Sequence, residues 1–179
     1  MNNQPDDPAD DPKKDPLEVT PLEIASDEVD GEPVLEYSIN YFFTLEEAAG
    51  MLPEIRKTLA DAFDEVNEIK DEVILLRRML TLRKDAGAKL SDEELASLRT
   101  KHQLLDDTVT NWVEHFLEKG IILRDMERGL LDFPYRPNDP KYHDEVFFLC
   151  WQYGEDGIFY FHAPEDGYAG RKPVAVLPD

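Results

Sequence analysis

The chain has 179 residues, the length of one domain, and a formal charge of −21. That charge repels phosphate backbones and anionic lipid, which speaks against nucleic-acid and membrane-surface binding. The single cysteine, Cys150, excludes an intramolecular disulfide framework. No basic-then-apolar leader and no run near the ~20 apolar residues that span a bilayer is present, so the expectation is a soluble cytoplasmic protein.

The charge is concentrated at the start. Residues 1–33 are dense in Asp, Glu and Pro without an aromatic, a composition that cannot offset the entropy of ordering, and they are expected to form a disordered acidic tail that serves solubility. Residues 34–179 are expected to form a single α+β domain. In residues 34–43 the residues Leu35, Tyr37, Ile39, Tyr41 and Phe43 alternate with Glu36, Ser38, Asn40 and Phe42, which predicts a strand. Thr44 with Glu47 forms a capping box and announces a helix. Gly50 and Pro53 lie just inside it, so a kink or a restart is expected there, with Pro53 as a first residue of the main helix.

Residues 44–119 read as a helical hairpin. Leu59, Val66, Val73 and Leu80 recur every seventh position, with Ile55, Ala62, Ile69 and Leu76 on the alternate seam, a coiled-coil pattern. After the connection at Gly87, Ser91 and Glu94 form a second capping box. Leu95, His102, Val109 and Phe116 then alternate with Leu98, Leu105 and Trp112 until Gly120. Folding about residues 87 and 88 sets Leu80 opposite Leu95, Val73 opposite His102, Ala62 opposite Trp112 and Leu59 opposite Phe116. A helix from residue 53 to 85 is about 50 Å long at 1.5 Å per residue, longer than a small sheet covers. The overhang predicts a homodimer. His102 on the seam reads as a hydrogen-bonded core histidine or a register device. The cluster Arg77, Arg78, Arg83 and Lys84 ends one helix and Asp92, Glu93 and Glu94 start the other, as the helix dipoles favour.

Residues 121–162 turn to β character. Ile121 to Leu123 and Gly129 to Phe133, the latter stopped by Pro134, predict one hairpin, and residues 146–153 and 158–162 around Gly154-Glu155-Asp156-Gly157 predict another. Symmetric closure of the second pairs Tyr153 with Ile158, Trp151 with Tyr160 and Leu149 with His162 on one face. Phe148, Cys150, Phe159 and Phe161 then share the other, where Cys150 reads as a small buried hydrophobe. Residues 163–179 form a C-terminal segment. The fold class expected is α+β: a long antiparallel helical hairpin packed on a small, mainly antiparallel β-sheet.

Several strings together resemble the bacterial family DUF2203. They are Phe43-Thr44-Leu45-Glu46-Glu47-Ala48 with Leu52-Pro53-Glu54, Arg124-Asp125 with Gly129-Leu130-Leu131-Asp132-Phe133-Pro134, Cys150-Trp151 with Gly154-Glu155, and His162 with Asp166-Gly167 and Gly170-Arg171. Phe161 stands where members more often have tryptophan. The resemblance implies no activity, but it points at polar residues at strand ends and turns: Arg124, Asp125, Asp132, Glu155, His162, Asp166 and Arg171.

Three chemistries suit that set. Imidazole with carboxylates, His162 with Glu155 and Asp166, can hold a divalent metal. A histidine beside a carboxylate can work as acid and base. Arg171 with Arg124 or Arg128 can clamp a small anion. Each has a bland rival: Asp166 before Gly167 is ordinary turn chemistry, Asp132 can cap an amide, Glu155 can be turn polarity and Arg171 can pair Asp166. No phosphate-cradling glycine loop, nucleophile elbow or paired-cysteine motif is present. The primary reading is a non-enzymatic interaction or scaffold protein, homodimeric through its hairpin or docking a protein partner. The alternative is a small-molecule or metal site, or an enzyme, at the sheet.

Overall fold

The computed structural model describes residue 39 and residues 41–142 and 145–179. The expected tail over residues 1–33 lies outside the described residues, as does most of the expected strand over 34–43. The described end of that stretch, residues 41–43, is not a strand. It is tied to the sheet by one bond, from the Phe43 amide to the Pro134 carbonyl at 2.7 Å.

Thr44 caps the first helix, α1, which runs unbroken over Leu45–Asp85. Both halves of the capping box form, since Thr44 Oγ1 accepts from the Glu47 amide and Glu47 accepts from the Thr44 amide. The expected restart at Pro53 is therefore corrected: Pro53 lies inside α1. The cap fixes the start, and Ala48 and Leu52, both buried, hold the first turns in the core. Ala49, whose carbonyl loses its partner to the proline, sits on the exposed side, within reach of water.

The second helix, α2, covers Asp92–Glu118 with Ser91 and Glu94 as its capping box. Both helices end in a Schellman closure on a glycine with positive φ. Ala88 donates to Arg83 and Gly87 to Lys84, and at the second end Ile121 donates to Phe116 and Gly120 to Leu117. The two helices pack against each other along their buried faces. Glu72 pairs with Lys101, Arg83 with Glu94 and Glu54 with Lys119, and Trp112 Nε1 donates to Glu65 at 2.9 Å. These pairs straddle the expected matches of Val73 with His102 and Leu80 with Leu95.

Five strands follow: β1 (Ile122–Asp125), β2 (Leu130–Tyr135), β3 (Phe147–Gln152), β4 (Tyr160–His162) and β5 (Lys172–Pro173). They form one antiparallel meander in the order β1-β2-β3-β4-β5. β2 passes through Pro134 rather than stopping there. The Pro134 carbonyl accepts from Phe43, so its missing N–H points the same way, to the side where β1 has already ended. No ladder bond is lost.

Register decides what each face carries. Asp132 opposes Cys150, Phe148 opposes His162, Leu149 opposes Phe161 and Cys150 opposes Tyr160. One face presents Leu131, Phe133, Leu149, Trp151 and Phe161, which join Leu52, Ile55, Leu59, Leu98 and Phe116 of the helices in one core. The other face carries Asp132, Cys150 and His162, beneath the segment that joins β4 to β5. The expected pairing of Leu149 with His162 is thus off by one residue. The cause is the turn: Glu155 N donates to the Gln152 carbonyl at 3.0 Å, and Glu155 Oε2 accepts from the Gln152 amide at 2.8 Å. The turn begins at Gln152, and Tyr153 is drawn off to the Gly129 carbonyl. Arg56 of α1 locks the arrangement by donating to the Glu155 and Asp156 carbonyls.

Candidate functional site

The outer face of the sheet gathers one residue from each of β1 to β4. Asp132 on β2 is 1% exposed, Cys150 on β3 is 0% exposed and His162 on β4 is 4% exposed. Arg124 of β1 reaches over Phe148, its guanidinium carbon 5.1 Å from the ring centroid, and its Nε donates to Asp132 Oδ2 at 2.8 Å. His162 Nε2 lies 3.1 Å from that same oxygen, and its Nδ1 lies 2.8 Å from the Ala163 carbonyl.

A carbonyl can only accept, so Nδ1 carries the proton that bonds Ala163, and Nε2 is the atom aimed at the carboxylate. Burial pushes the His162 pKa down. The hydrogen bond and negative charge of Asp132, helped by the Ala163 carbonyl, outweigh it and hold the ring above its usual value. Burial likewise pushes the Cys150 thiol up to about 12, with Asp132 adding to the rise and Arg171 opposing it. By itself the thiol is therefore no nucleophile at neutral pH.

The segment between β4 and β5 supplies the cover. Tyr168 donates its hydroxyl to Gln152 at 2.6 Å, and the Arg171 guanidinium stacks 3.6 Å from the Tyr168 ring and 4.8 Å from that of Tyr160. One terminal nitrogen of Arg171 lies 3.6 Å from Glu155 Oε1. Two buried polar atoms in this place have no hydrogen-bond partner: Asp132 Oδ1 and that Arg171 nitrogen. A buried polar atom without a hydrogen bond costs about 1–3 kcal/mol, so this place carries a local energetic cost. Two open cavities among the described residues lie elsewhere, one lined by Glu65, Thr108, Asn111, Trp112 and His115, the other by Phe63, Val66, Asn67, Lys70, Met126 and Glu127.

Of the residues singled out in the sequence, Arg124, Asp132 and His162 bond one another directly, while Glu155 pairs with Arg171 at the edge of the cluster. Asp125 does not join them. It caps the turn between β1 and β2, accepting from the Arg128 amide at 3.0 Å and from Arg128 Nε at 2.6 Å. Asp166 pairs with Lys172 at 3.0 Å at the surface, so the group that converges with His162 is Asp132 and Cys150 rather than Glu155 and Asp166. The ligand atoms of Asp132, Cys150 and His162 all lie within 4.8 Å of one another.

The model of an uncharacterized conserved protein family, DUF2203, matches residues 41–174. The chain belongs to the DUF2203 family. No curated protein and no solved structure matches it. The DUF2203 match takes in every residue of the buried cluster, from Arg124 to Arg171. The family has no characterised function, so the chemistry has to be argued from the cluster itself.

Cys150 is the member that sequence reading missed. The signal was the register: symmetric closure set it among phenylalanines, whereas a shift of one residue moves it onto the face of His162. Its neighbour across the other ladder, Asp132, was already in view.

Proposed function

We propose that the protein works through the outer face of its sheet, as a binding protein for a small polar ligand held by Asp132, His162 and Arg171. The observation that carries this reading is the Asp132 carboxylate. It is buried at 1% exposure, paired on Oδ2 with Arg124 and His162, and unpartnered on Oδ1. Buried carboxylate oxygens in folded proteins are in the large majority hydrogen-bonded, so an orphan at this depth supports a missing partner. A ligand of few atoms fits the arrangement, because the polar atoms are already close together.

The test is a thermal-shift panel of small anions (phosphate, acetate) and divalent cations (zinc, manganese) on the full chain, with Asp132→Asn as the variant. A ligand at a hundred times its dissociation constant stabilises the folded state by about 2.7 kcal/mol. At about 2–4 °C per kcal/mol for a protein of this size, the melting temperature rises by about 5–10 °C. A stabiliser of the wild type that fails on Asp132→Asn supports the reading. A panel that leaves the wild type unmoved refutes it.

A second reading, as a self-associating scaffold, draws on the far half of α1. Ile74, Leu75, Met79 and Leu82 are all more than half exposed, and Leu75, Met79 and Leu82 lie at helical spacing on the side turned away from the buried Val73 and Leu80. Two antiparallel copies crossing near Met79 would set each Leu75 against the partner's Leu82, a self-complementary contact suited to a twofold dimer. Sedimentation at micromolar concentration tests it: a dimer that Leu75→Glu turns into a monomer supports the reading, and a monomeric wild type overturns it.

A further inference from the structure

We propose that Asp132, Cys150 and His162 form a centre for one divalent transition metal of the zinc type. The inference rests on the binding reading above and names its ligand. Three donors of different kinds, a carboxylate oxygen, a sulfur and an imidazole nitrogen, come from three adjacent strands of one sheet and lie within 4.8 Å of one another, all buried. Zinc bonds of 2.0–2.3 Å in a tetrahedron space such atoms by about 3.3–3.8 Å, so small side-chain rotations close the set around an ion.

Two of the three donors are already oriented by a second partner. His162 has its Nδ1 on the Ala163 carbonyl at 2.8 Å, which turns Nε2 inward. That is the outer contact that metal-bound histidines ordinarily carry. Asp132 has Oδ2 held by Arg124 at 2.8 Å, and the oxygen that remains, Oδ1, is buried without a partner. Cys150 is fully buried on β3, directly across the ladder from Asp132.

The donor set decides the class of ion. Calcium and magnesium take six or more oxygens, which this cluster does not offer, whereas sulfur with imidazole and one carboxylate suits zinc and its neighbours in the first transition series. Three protein donors leave a fourth position for water or a small anion, as in zinc sites that do chemistry rather than brace a fold. Arg171, whose buried nitrogen makes no hydrogen bond and only a 3.6 Å ion pair with Glu155, is the cation nearby that would meet such an anion.

The experiment uses the full chain stripped by a chelator, then dialysed against zinc alone and, separately, titrated with cobalt(II) as a spectroscopic stand-in. The expected result is one zinc per chain and a cobalt complex with thiolate charge-transfer absorption in the near ultraviolet. Cys150→Ser removes that absorption, and His162→Ala lowers zinc affinity by at least about a hundredfold, since loss of even an outer contact costs 10–100-fold. Asp166→Asn leaves zinc binding as it was. Circular dichroism confirms that each variant is folded, and Cys150→Ala serves if Cys150→Ser is not. Wild type that binds no stoichiometric zinc, a cobalt complex without the thiolate band, or binding that survives both ligand substitutions overturns the proposal. Phosphate or acetate that stabilises the wild type but not Arg171→Leu, with no effect of zinc, overturns the metal centre and leaves the binding site standing. No effect of either overturns both.

Discussion

Replacing His102 by leucine is expected to stabilise the protein. His102 lies on the helical seam, where its Nε2 is buried without a hydrogen-bond partner. Its surroundings are unfriendly to charge: burial pushes the pKa below the usual value, Asp106 only partly opposes this, and Arg77 adds to the fall. An unsatisfied buried polar atom costs about 1–3 kcal/mol, at the low end here because the ring is only half-buried. Leucine removes that cost and adds apolar surface to the seam between the helices. Full burial of such a side chain is worth about 1.5–3 kcal/mol, so half burial in place of an imidazole adds well under that. The gain is about 1–2 kcal/mol, or a rise in melting temperature of about 2–8 °C at neutral pH. The pH dependence follows from the sign of the shift. A histidine with a depressed folded-state pKa contributes stability that is present above its unfolded value, near 6.5, and lost as the pH falls through the folded value. The advantage of His102→Leu therefore grows between pH 7.5 and pH 5.5. Urea unfolding at both values reads it. A variant no more stable than wild type at pH 7.5, with an unchanged urea dependence, refutes the unpartnered-nitrogen account, as does an advantage that shrinks in acid.

The seam should also respond unevenly to truncation. Leu59→Ala removes a side chain enclosed by both helices and the sheet, where little can collapse, and is expected to cost about 4–5 kcal/mol; Leu80→Ala, between two helices alone, about 2–3 kcal/mol. Equal losses in chemical denaturation would show that the far half of the hairpin is as rigidly packed as its base. Thr44→Ala removes the acceptor for the Glu47 amide and should lower stability by about 1 kcal/mol. A loss below the error of the measurement would mean that Pro53, not the cap, governs the start of α1. Asp125→Ala should leave zinc binding unchanged while loosening the turn between β1 and β2, seen as faster amide exchange at Arg128.

The helical half of the fold was legible because two independent signals agreed. The heptad seams fixed which faces meet, and two capping boxes with two glycines fixed where the helices begin and end. Pro53 misled, since its local cost is overridden by the burial of Ala48 and Leu52. The sheet was legible in its strands but not in its register. Symmetric closure of the 146–162 hairpin looked natural, yet the side chain of Glu155 bonds back to the Gln152 amide and moves the turn by one residue. Strand register has a period of two, so that single step parts His162 from Leu149 and sets it on the face of Cys150, which the symmetric closure had hidden from the site. Asp125 and Asp166 were drawn in by their residue type alone; both are spent on neighbours close in sequence, Arg128 and Lys172.

Every ladder in the sheet joins strands that follow one another in the chain. Asp132, Cys150 and His162 are therefore brought together by two successive hairpins, with no crossover to close. Chains built from such local pairings fold faster than those that depend on distant ones. Assembly of the cluster need not wait for the helical hairpin, whose long-range ties to this part of the chain include the Arg56 bonds to Glu155 and Asp156. A pulse-labelling refolding experiment should accordingly show the β2–β3 amides protected no later than those of the far end of the helices.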